Sequence, residues 1–542
     1  MSPTPWMCAI RRWSRALALA ALASCSTRLP TAPAGGLRGE VLDASGRPLA
    51  GARVRLQATP VSTVTAESGE FTLPVDPDHV SGVVAAWKEG YFNGGEKLVP
   101  GRRSYRIVLR AIQPGDDRGY TWASPRERAR AEGDDRAACE KCHPVLVAEW
   151  EGSAHAGSAT NPLFLAVFEG KDRLGRPTGG PAYRLDFPSS RGTCAACHVP
   201  ALAVNAPFDT DPAAARGVAA QGVTCDVCHK IRDAAVDATG GRPGVLSFTF
   251  ARPVRGKDAF FGQLDDVIAG PDSFRALYRE SRYCAPCHHG SFWGVRAYPE
   301  FSEWAASGYA RKNVQCQDCH MKLRGGPRRF ALEKEGAALR DPATISSHVQ
   351  YGLNDEAFMR SALTYAARAE VLGDRIRVRV SIKNSGAGHH VPTGSPMRNM
   401  VLLVEANDAQ GAPLPLVQGE RVPEWAGRGS PSRGDYAGLP GKGFAKVLAD
   451  IVEYPADPTQ GRQFARFRPT PYWRPAQVVS DTRIAAEATD ASEYVFAASG
   501  ARGPITVRTA LVYRRTFRTW GALDRVKGGD LELASSSEAV SR

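Results

Sequence analysis

Ten of the twelve cysteines fall into five copies of one pattern, Cys-x-x-Cys-His. The copies are Cys139/Cys142/His143, Cys194/Cys197/His198, Cys225/Cys228/His229, Cys284/Cys287/His288 and Cys316/Cys319/His320. Two thiols at this spacing match the vinyl groups of a porphyrin and bond to them as thioethers, and the adjoining imidazole becomes an axial iron ligand. At this cysteine frequency chance supplies roughly 0.005 such motifs in a chain of this length, so five copies predict five covalently attached haem c groups. Zinc also takes Cys and His, but here every pair ends in His immediately after the second Cys. The two other cysteines, Cys8 and Cys25, lie within the first 25 residues, which leaves no pair for a disulfide scaffold.

A bis-histidine iron needs a second imidazole. Eleven histidines less the five in the motifs leave His79, His155, His289, His348, His389 and His390. His155 and His348 are the first candidates. His389 and His390 are neighbours in a glycine-containing loop, so their side chains diverge and one of them meets iron. His289 follows His288 directly and cannot bind the same iron; it reaches a neighbouring haem or remains a surface imidazole. His79, in a Pro-Asp-His turn, reads as a solvated residue. That supply falls short of five, which makes one haem exceptional: Met359, Met397 or Met400 completes it or simply packs. Tyr309 ligates, bonds a distal water, or packs, and packing is the favoured role.

The elements that must hold these groups follow from pattern. Arg11, Arg12 and Arg15 precede a short apolar run ending in Leu22-Ala23-Ser24-Cys25. Residues 1–24 thus read as a secretory signal, too short for a permanent membrane anchor. Residues 25–36 form a Pro/Gly-rich tether. Over 37–112, short β-type runs such as Ala52–Leu56, Gly82–Trp87 and Tyr105–Leu109 alternate with turns and predict a small sandwich of about seven strands. Residues 113–136 are charged and read as a linker or short surface helix, opening the haem-bearing domain at 113–364. That domain is expected to be mostly α-helical and irregular, with the macrocycles supplying much of its buried apolar area. Beyond it, Ile376, Val378, Val380 and Ile382 alternate with Arg375, Arg377, Arg379 and Ser381, marking a half-buried strand. Residues 365–530 are read as a C-terminal β-sandwich with a loop-rich insertion at about 410–490, and 531–542 as a disordered tail.

The formal net charge of +13 falls to +10 without the three leader arginines. Five haems, each with two propionates, subtract roughly 5 to 10 charges more, which argues against a nucleic-acid partner. The motif starts are separated by 55, 31, 59 and 32 residues, so the 31- and 32-residue intervals suggest two copies of a di-haem unit. A second echo sets Glu149-Trp150-Glu151-Gly152-Ser153-Ala154-His155 beside Glu303-Trp304-Ala305-Ala306-Ser307-Gly308-Tyr309.

These residues resemble the multihaem cytochromes c of the cytochrome c554 type, in which E-W-x-x-S-x-H follows the first haem motif and G-V-x-C-x-x-C-H recurs. Similar cytochromes carry a C-terminal β-domain with a G-H-x-x-P-T-G loop, here Gly388-His389-His390-Val391-Pro392-Thr393-Gly394, and that likeness favours His389 over His390 as the ligand. Residues from Gly39 to Phe71 resemble a carboxypeptidase-regulatory-like, transthyretin-type domain, which implies a spacer or docking module. The end of the leader resembles the bacterial lipobox, which implies lipidation at Cys25 and, with Ser26 following, outer-membrane sorting. The expectation is an exported lipoprotein that relays electrons between redox partners, either other cytochromes or a quinol-oxidising complex. Its rivals are a reductase or oxidase of a small nitrogen or sulfur compound at one open haem, and a homo-oligomeric subunit of an extracellular cytochrome filament. No C-x-x-C-K variant is present, which removes the catalytic-haem signature of ammonia-forming nitrite reductases.

Overall fold

A computed structural model describes residues 35–113, 115–130, 136–236, 242–451, 468–526 and 529–541. The expected leader, the lipidation site Cys25 and most of the tether lie outside the described residues. No helix among the described residues is long and apolar enough to cross a membrane.

Seven strands open the chain: β1 (Leu37–Asp43), β2 (Arg53–Leu56), β3 (Ser62–Val64), β4 (Glu70–Leu73), β5 (Val83–Trp87), β6 (Gly94–Lys97) and β7 (Ser104–Leu109). They pair as two sheets, in the orders β4-β1-β7 and β3-β2-β5-β6. Strict alternation along β7 sends Tyr105, Ile107 and Leu109 inward and leaves Arg106 and Val108 outside. The inward residues pack against Val41, Val54, Phe71 and Val84. Gly39 is forced by this packing, since a β-carbon there would stand 2.1 Å from the Tyr105 carbonyl oxygen and 2.7 Å from the Phe71 ring.

The charged stretch that follows is tied down rather than free. It holds a 3-10 turn at Glu127–Ala129, Ala123 and Ser124 are buried, and Asp116 accepts from Arg252 Nε and Nη2 at 2.7 and 2.6 Å. The central region then runs through short helices, among them α1 (Pro144–Glu151), α2 (Pro162–Glu169) and α3 (Glu300–Ala305). Three two-stranded pairs interrupt them: β8 (Ile231–Ala234) with β9 (Phe248–Phe250), β10 (Phe260–Gly262) with β11 (Asp272–Phe274), and β12 (Gly290–Phe292) with β13 (Val295–Tyr298). Helices of eight residues such as α1 and α2 are marginal alone, so tertiary contacts must hold them. Yet the apolar cluster here is built largely of alanines, including Ala195, Ala196, Ala201, Ala203, Ala215 and Ala219. Side chains this small bury little area.

The C-terminal sandwich comprises β14 (Leu363–Leu372), β15 (Arg375–Asn384), β16 (Asn399–Asn407), β17 (Leu416–Gln418), β18 (Gly441–Asp450), β19 (Ala476–Asp481), β20 (Thr489–Ala497), β21 (Ile505–Arg514) and β22 (Leu531–Val540). Its sheets run β14-β15-β20-β17 and β19-β18-β16-β21-β22. Ile376, Val378, Val380 and Ile382 of β15 are buried against Met400, Leu402 and Val404 of β16.

Two expectations are corrected here. The segment 531–542 is not a disordered tail: β22 pairs along its length with β21, from Leu531 opposite Tyr513 to Val540 opposite Ile505. Its serines read as frayed because backbone hydrogen bonds, invisible in composition, hold an edge strand. Nor is 410–490 merely a loop-rich insertion, for it supplies β18 and β19 to the larger sheet. Glycine disguises β18, where a β-carbon at Gly443 would come within 2.4 Å of the Trp425 ring.

Both sandwiches clamp the central region through buried charge. Asp186 accepts from Trp473 Nε1 at 2.7 Å and from Arg474 Nε and Nη2 at 2.8 and 2.6 Å, with both charged side chains almost fully buried. On the opposite side Arg53 and Arg55 reach Asp265, while Asp266 binds Arg340 and the Ala58 N–H. Removing one partner of such a pair strands the other. Asp186→Ala is expected to cost about 3–5 kcal/mol, read as a lowered denaturant midpoint of the holoprotein; an unchanged midpoint would show that this contact does not brace the C-terminal sandwich.

Candidate haem-binding centre

In a helical turn, positions i, i+3 and i+4 share one face, so a Cys-x-x-Cys-His run wound into such a turn presents both thiols and the imidazole together. Helical turns cover Cys139–Lys141, Ala195–His198, Cys225–His229, Ala285–His288 and Cys316–His320. The last four hold the second thiol and the histidine of their motifs, with Cys194 and Cys284 standing as helical N-caps. Local caps start two of them: Thr224 accepts from the Val227 N–H, and Gln315 and Asp318 form a reciprocal capping box.

The first motif departs from this pattern at the predicted attachment residue Cys142. Its 3-10 turn closes at Lys141, so Cys142 lies outside the turn as the C-cap, half-buried, with φ −105° and ψ −30°. The physical reason is the Pro144 ring directly after His143, which opens α1 and turns His143 out of helical geometry, at φ −121° and ψ 50°. Two backbone bonds still hold the residue in place: the Cys142 N–H donates to Cys139 O at 3.2 Å, and Cys142 O accepts from the Leu332 N–H at 2.9 Å. The His143 N–H also returns to Cys139 O, at 2.8 Å, which keeps the motif folded as one turn.

Four motif histidines have Nδ1 spoken for by a carbonyl. His143 donates to Phe330 O at 3.0 Å, His198 to Ser158 O at 3.1 Å, His229 to Phe261 O at 2.7 Å and His320 to Tyr351 O at 2.6 Å. His288 instead has Glu300 Oε1 at 4.0 Å. An Nδ1–H engaged this way fixes the tautomer and leaves Nε2 free for a metal. Burial pushes His155, His198, His320 and His348 down to about 4, so these imidazoles are neutral at pH 7, as iron ligands must be. At His288 burial pulls downward, but Glu300 outweighs it and the net direction is up.

Three motif histidines face a second imidazole. The ring centres of His229 and His348 are 6.4 Å apart, those of His288 and His155 6.3 Å, and those of His320 and His389 6.2 Å. An iron between two imidazoles, with metal–nitrogen bonds of about 2.0–2.1 Å and roughly 1.1 Å more from ring nitrogen to ring centre, requires ring centres about 6.3 Å apart. Three independent pairs at that spacing fit bis-histidine haem. His143 and His198 lie instead against aromatic rings, Phe330 at 6.0 Å and Phe164 at 3.7 Å.

The remaining candidates are placed elsewhere. His390 has Glu303 Oε1 3.3 Å from its Nδ1, while His389 turns toward His320. His289 is buried 5.9 Å from the Phe301 ring. His79 is exposed on Asp76. Tyr309 donates to Ser385 O at 2.8 Å. Met400 is fully buried in the C-terminal core, and Met359 and Met397 pack against apolar clusters.

The thiols form a connected set. Cys139 of the first motif meets Cys225 of the third; Cys197 meets Cys287, and Cys284 meets Cys316. Neighbouring thiols and burial push Cys225, Cys284 and Cys287 up. Burial takes Cys194 to about 12 and Cys228 to about 11, and raises Cys319 as well. The contacts with Cys225 and Cys284 instead pull Cys139 and Cys316 down, Cys316 to about 7. Among the described residues no three His, Cys, Asp or Glu gather around a common metal position. The fourth motif is the junction, touching the second and fifth and lying within electrostatic reach of Cys228 in the third.

Sequence reasoning assigned no role to Glu149 and Glu303, although the echo between their segments was visible. In space the echo is a repeated brace. Trp150 Nε1 donates to Val223 O and Trp304 Nε1 to Val314 O, each at 2.8 Å, and each valine lies two residues before a haem motif. Glu149 accepts the His348 N–H at 2.8 Å and pairs with Arg328; Glu303 accepts the His390 N–H at 3.0 Å and pairs with Arg483. One carboxylate in each copy thus holds the loop that bears an opposing histidine.

Residues 138–230 match the family model for cytochrome c554 and c-prime. The matched segment contains the first three motifs, and haem c is the cofactor its thiols and imidazoles suit. Residues 36–95 match the carboxypeptidase regulatory-like domain. Among solved structures the chain is similar to a penta-heme cytochrome c552 from Thermochromatium tepidum, at 21% identity and a TM-score of 0.52, over 74% of this chain and 97% of that one. At that identity the likeness is one of fold. No curated protein matches the chain.

The imidazole pairs make the ligand choice testable. His348→Ala and His389→Ala are each expected to convert one haem of the haem-loaded protein from low-spin to high-spin in the ferric EPR spectrum, whereas His390→Ala leaves the low-spin count unchanged. Loss of a low-spin haem in His390→Ala would reverse the assignment of that loop.

Proposed function

We propose that this chain is an exported c-type cytochrome that passes electrons between redox partners through five covalently bound haems, anchored by a lipid on Cys25 at the outer membrane. The observation that carries the reading is the set of three imidazole pairs at 6.2–6.4 Å, each with one member from a Cys-x-x-Cys-His motif. The haem supplies one-electron chemistry, its iron cycling between Fe(III) and Fe(II). The chain's own residues do the rest. Ten cysteines would hold the macrocycles, the five motif histidines would supply one set of iron ligands, and His155, His348 and His389, which face three of them, would supply another. Backbone carbonyls at Phe330, Ser158, Phe261 and Tyr351 orient four of the motif imidazoles. The sandwiches exclude water and present a surface to partner cytochromes or a quinol-oxidising complex.

A second reading has one specific support. His143 and His198 have aromatic neighbours, Phe330 and Phe164, where the other three motif histidines have imidazoles. An iron left open at either position would give a reductase or oxidase of a small nitrogen or sulfur compound.

One preparation tests both readings. Pyridine-haemochrome quantitation of the exported protein is expected to return five haems per chain, with at least three bis-histidine low-spin signals. A colourless chain would end the first reading. A high-spin ferric signal whose reduced form binds CO supports the second, and its complete absence rules that reading out.

A further inference from the structure

Four of the five motif histidines share a neutral partner: each Nδ1 lies 2.6–3.1 Å from a backbone carbonyl oxygen. His288 alone has a carboxylate there, Glu300 Oε1 at 4.0 Å. Glu300 is the first residue of α3, and its side chain is only 15% exposed. Its second oxygen, Oε2, is buried with no hydrogen-bond partner among the described residues. A charge so enclosed is costly and acts strongly on whatever faces it.

The internal echo provides a control within the chain. Aligning Glu149-Trp150 on Glu303-Trp304 puts Leu146 of α1 at the position of Glu300. One copy of the brace therefore carries an apolar residue where the other directs a carboxylate at an imidazole. Packing alone does not call for the acid. The histidine it addresses belongs to the fourth motif, whose cysteines adjoin those of the second and fifth.

We propose that Glu300 is a positioning residue that holds the haem of Cys284, Cys287 and His288 at a lower reduction potential than it would have with a neutral partner on His288. The inference rests on the proposed haem occupancy of that motif. At 4.0 Å Glu300 Oε1 is beyond hydrogen-bond range of Nδ1, so its negative charge acts through space, and a charge enclosed this near the imidazole favours the more positive iron. Adding one electron takes Fe(III) to Fe(II) with no bond made or broken, so the negative charge of Glu300 bears directly on that equilibrium. Electrons from a donor protein then pass through the junction of the five groups rather than resting there.

The test is a mediated spectroelectrochemical titration of the full holoprotein and of Glu300→Gln, which preserves volume and an acceptor oxygen but removes the charge. One of five Nernst components is expected to move upward by roughly tenfold in its reduction equilibrium, or 59 mV for one electron, while the other four stay in place. Glu300→Asp, which keeps the charge and withdraws it by one methylene, is expected to move the same component less. No movement, or a common movement of all five, overturns the proposal. So does a Gln variant that loses this haem while the Asp variant retains it at the wild-type potential, since Glu300 would then be structural. Fewer than five haems on the wild-type chain would instead strike the proposed function itself.

Discussion

Two imidazoles facing each other across a gap of the width an iron would span are the constraint to which the rest of this molecule answers. A ring-centre separation of 6.2–6.4 Å recurs in three pairs whose members come from distant parts of the chain, His155 with His288, His229 with His348, and His320 with His389. Nothing in the local backbone brings such residues together. The partners of Nδ1 do much of it, because each hydrogen bond from a ring to a carbonyl sets the direction of Nε2 as well as the tautomer. Opposing histidines are held in turn by Gln350, at 2.7 Å from His155 Nδ1, and by the carboxylates Glu149 and Glu303 acting on backbone N–H groups.

That demand explains a central region that looks poorly built by ordinary standards. Its helices are short and its apolar cluster is rich in alanine. A conventional core of that composition would be too weak to order so many turns. Flat macrocycles bonded at the motif thiols, as proposed, would change the balance, each supplying apolar area and a cross-link at once. The two sandwiches close the remaining sides with charged and apolar contacts together: Asp186 pairs with Arg474 and Asp265 with Arg55, and Ala166 and Val167 of α2 pack with Trp425, Phe517 and Trp520. Such pairs are unforgiving of misplacement, which suits domains that must keep histidines in register to within a fraction of an ångström.

What could be read in the sequence was whatever depends on short spacing. The five motifs and the alternation of Ile376, Val378, Val380 and Ile382 are local patterns, and so is the rhythm of the first seven strands. What escaped depends on neighbours, near or distant. The five spacings are identical, yet the first motif winds into a 3-10 turn with Cys142 as its C-cap, its N–H on Cys139 O and its carbonyl on the Leu332 N–H. The choice of His389 over His390 rested on a likeness of loops; in space it turns on Glu303, 87 residues away, which occupies His390. His289, written directly after a motif histidine, is buried near Phe301 without taking a place in any of the three imidazole pairs. Strand β22 hid behind serines and β18 behind glycines, because edge pairing and the close approach of Trp425 leave no hydrophobic trace of their own.

The echo between the two E-W segments carries the most physical information once both copies are seen together. The shared parts, a glutamate on a ligand loop and an indole on the carbonyl before a haem motif, are those a brace cannot lose. The differing parts sit where the brace faces its haem ligands. In the first copy His155 reaches across to His288; in the second Tyr309 turns away to Ser385 O. In the first copy Leu146 fills the place that Glu300 occupies in the second. Duplicated scaffolds that agree in their supports and diverge at the metal-facing positions give unlike surroundings to chemically identical groups. A relay of identical cofactors has direction only if their surroundings differ, and the motifs of this chain do differ: His143 and His198 face aromatic rings, His229, His288 and His320 face imidazoles, and His288 has Glu300 beside its Nδ1.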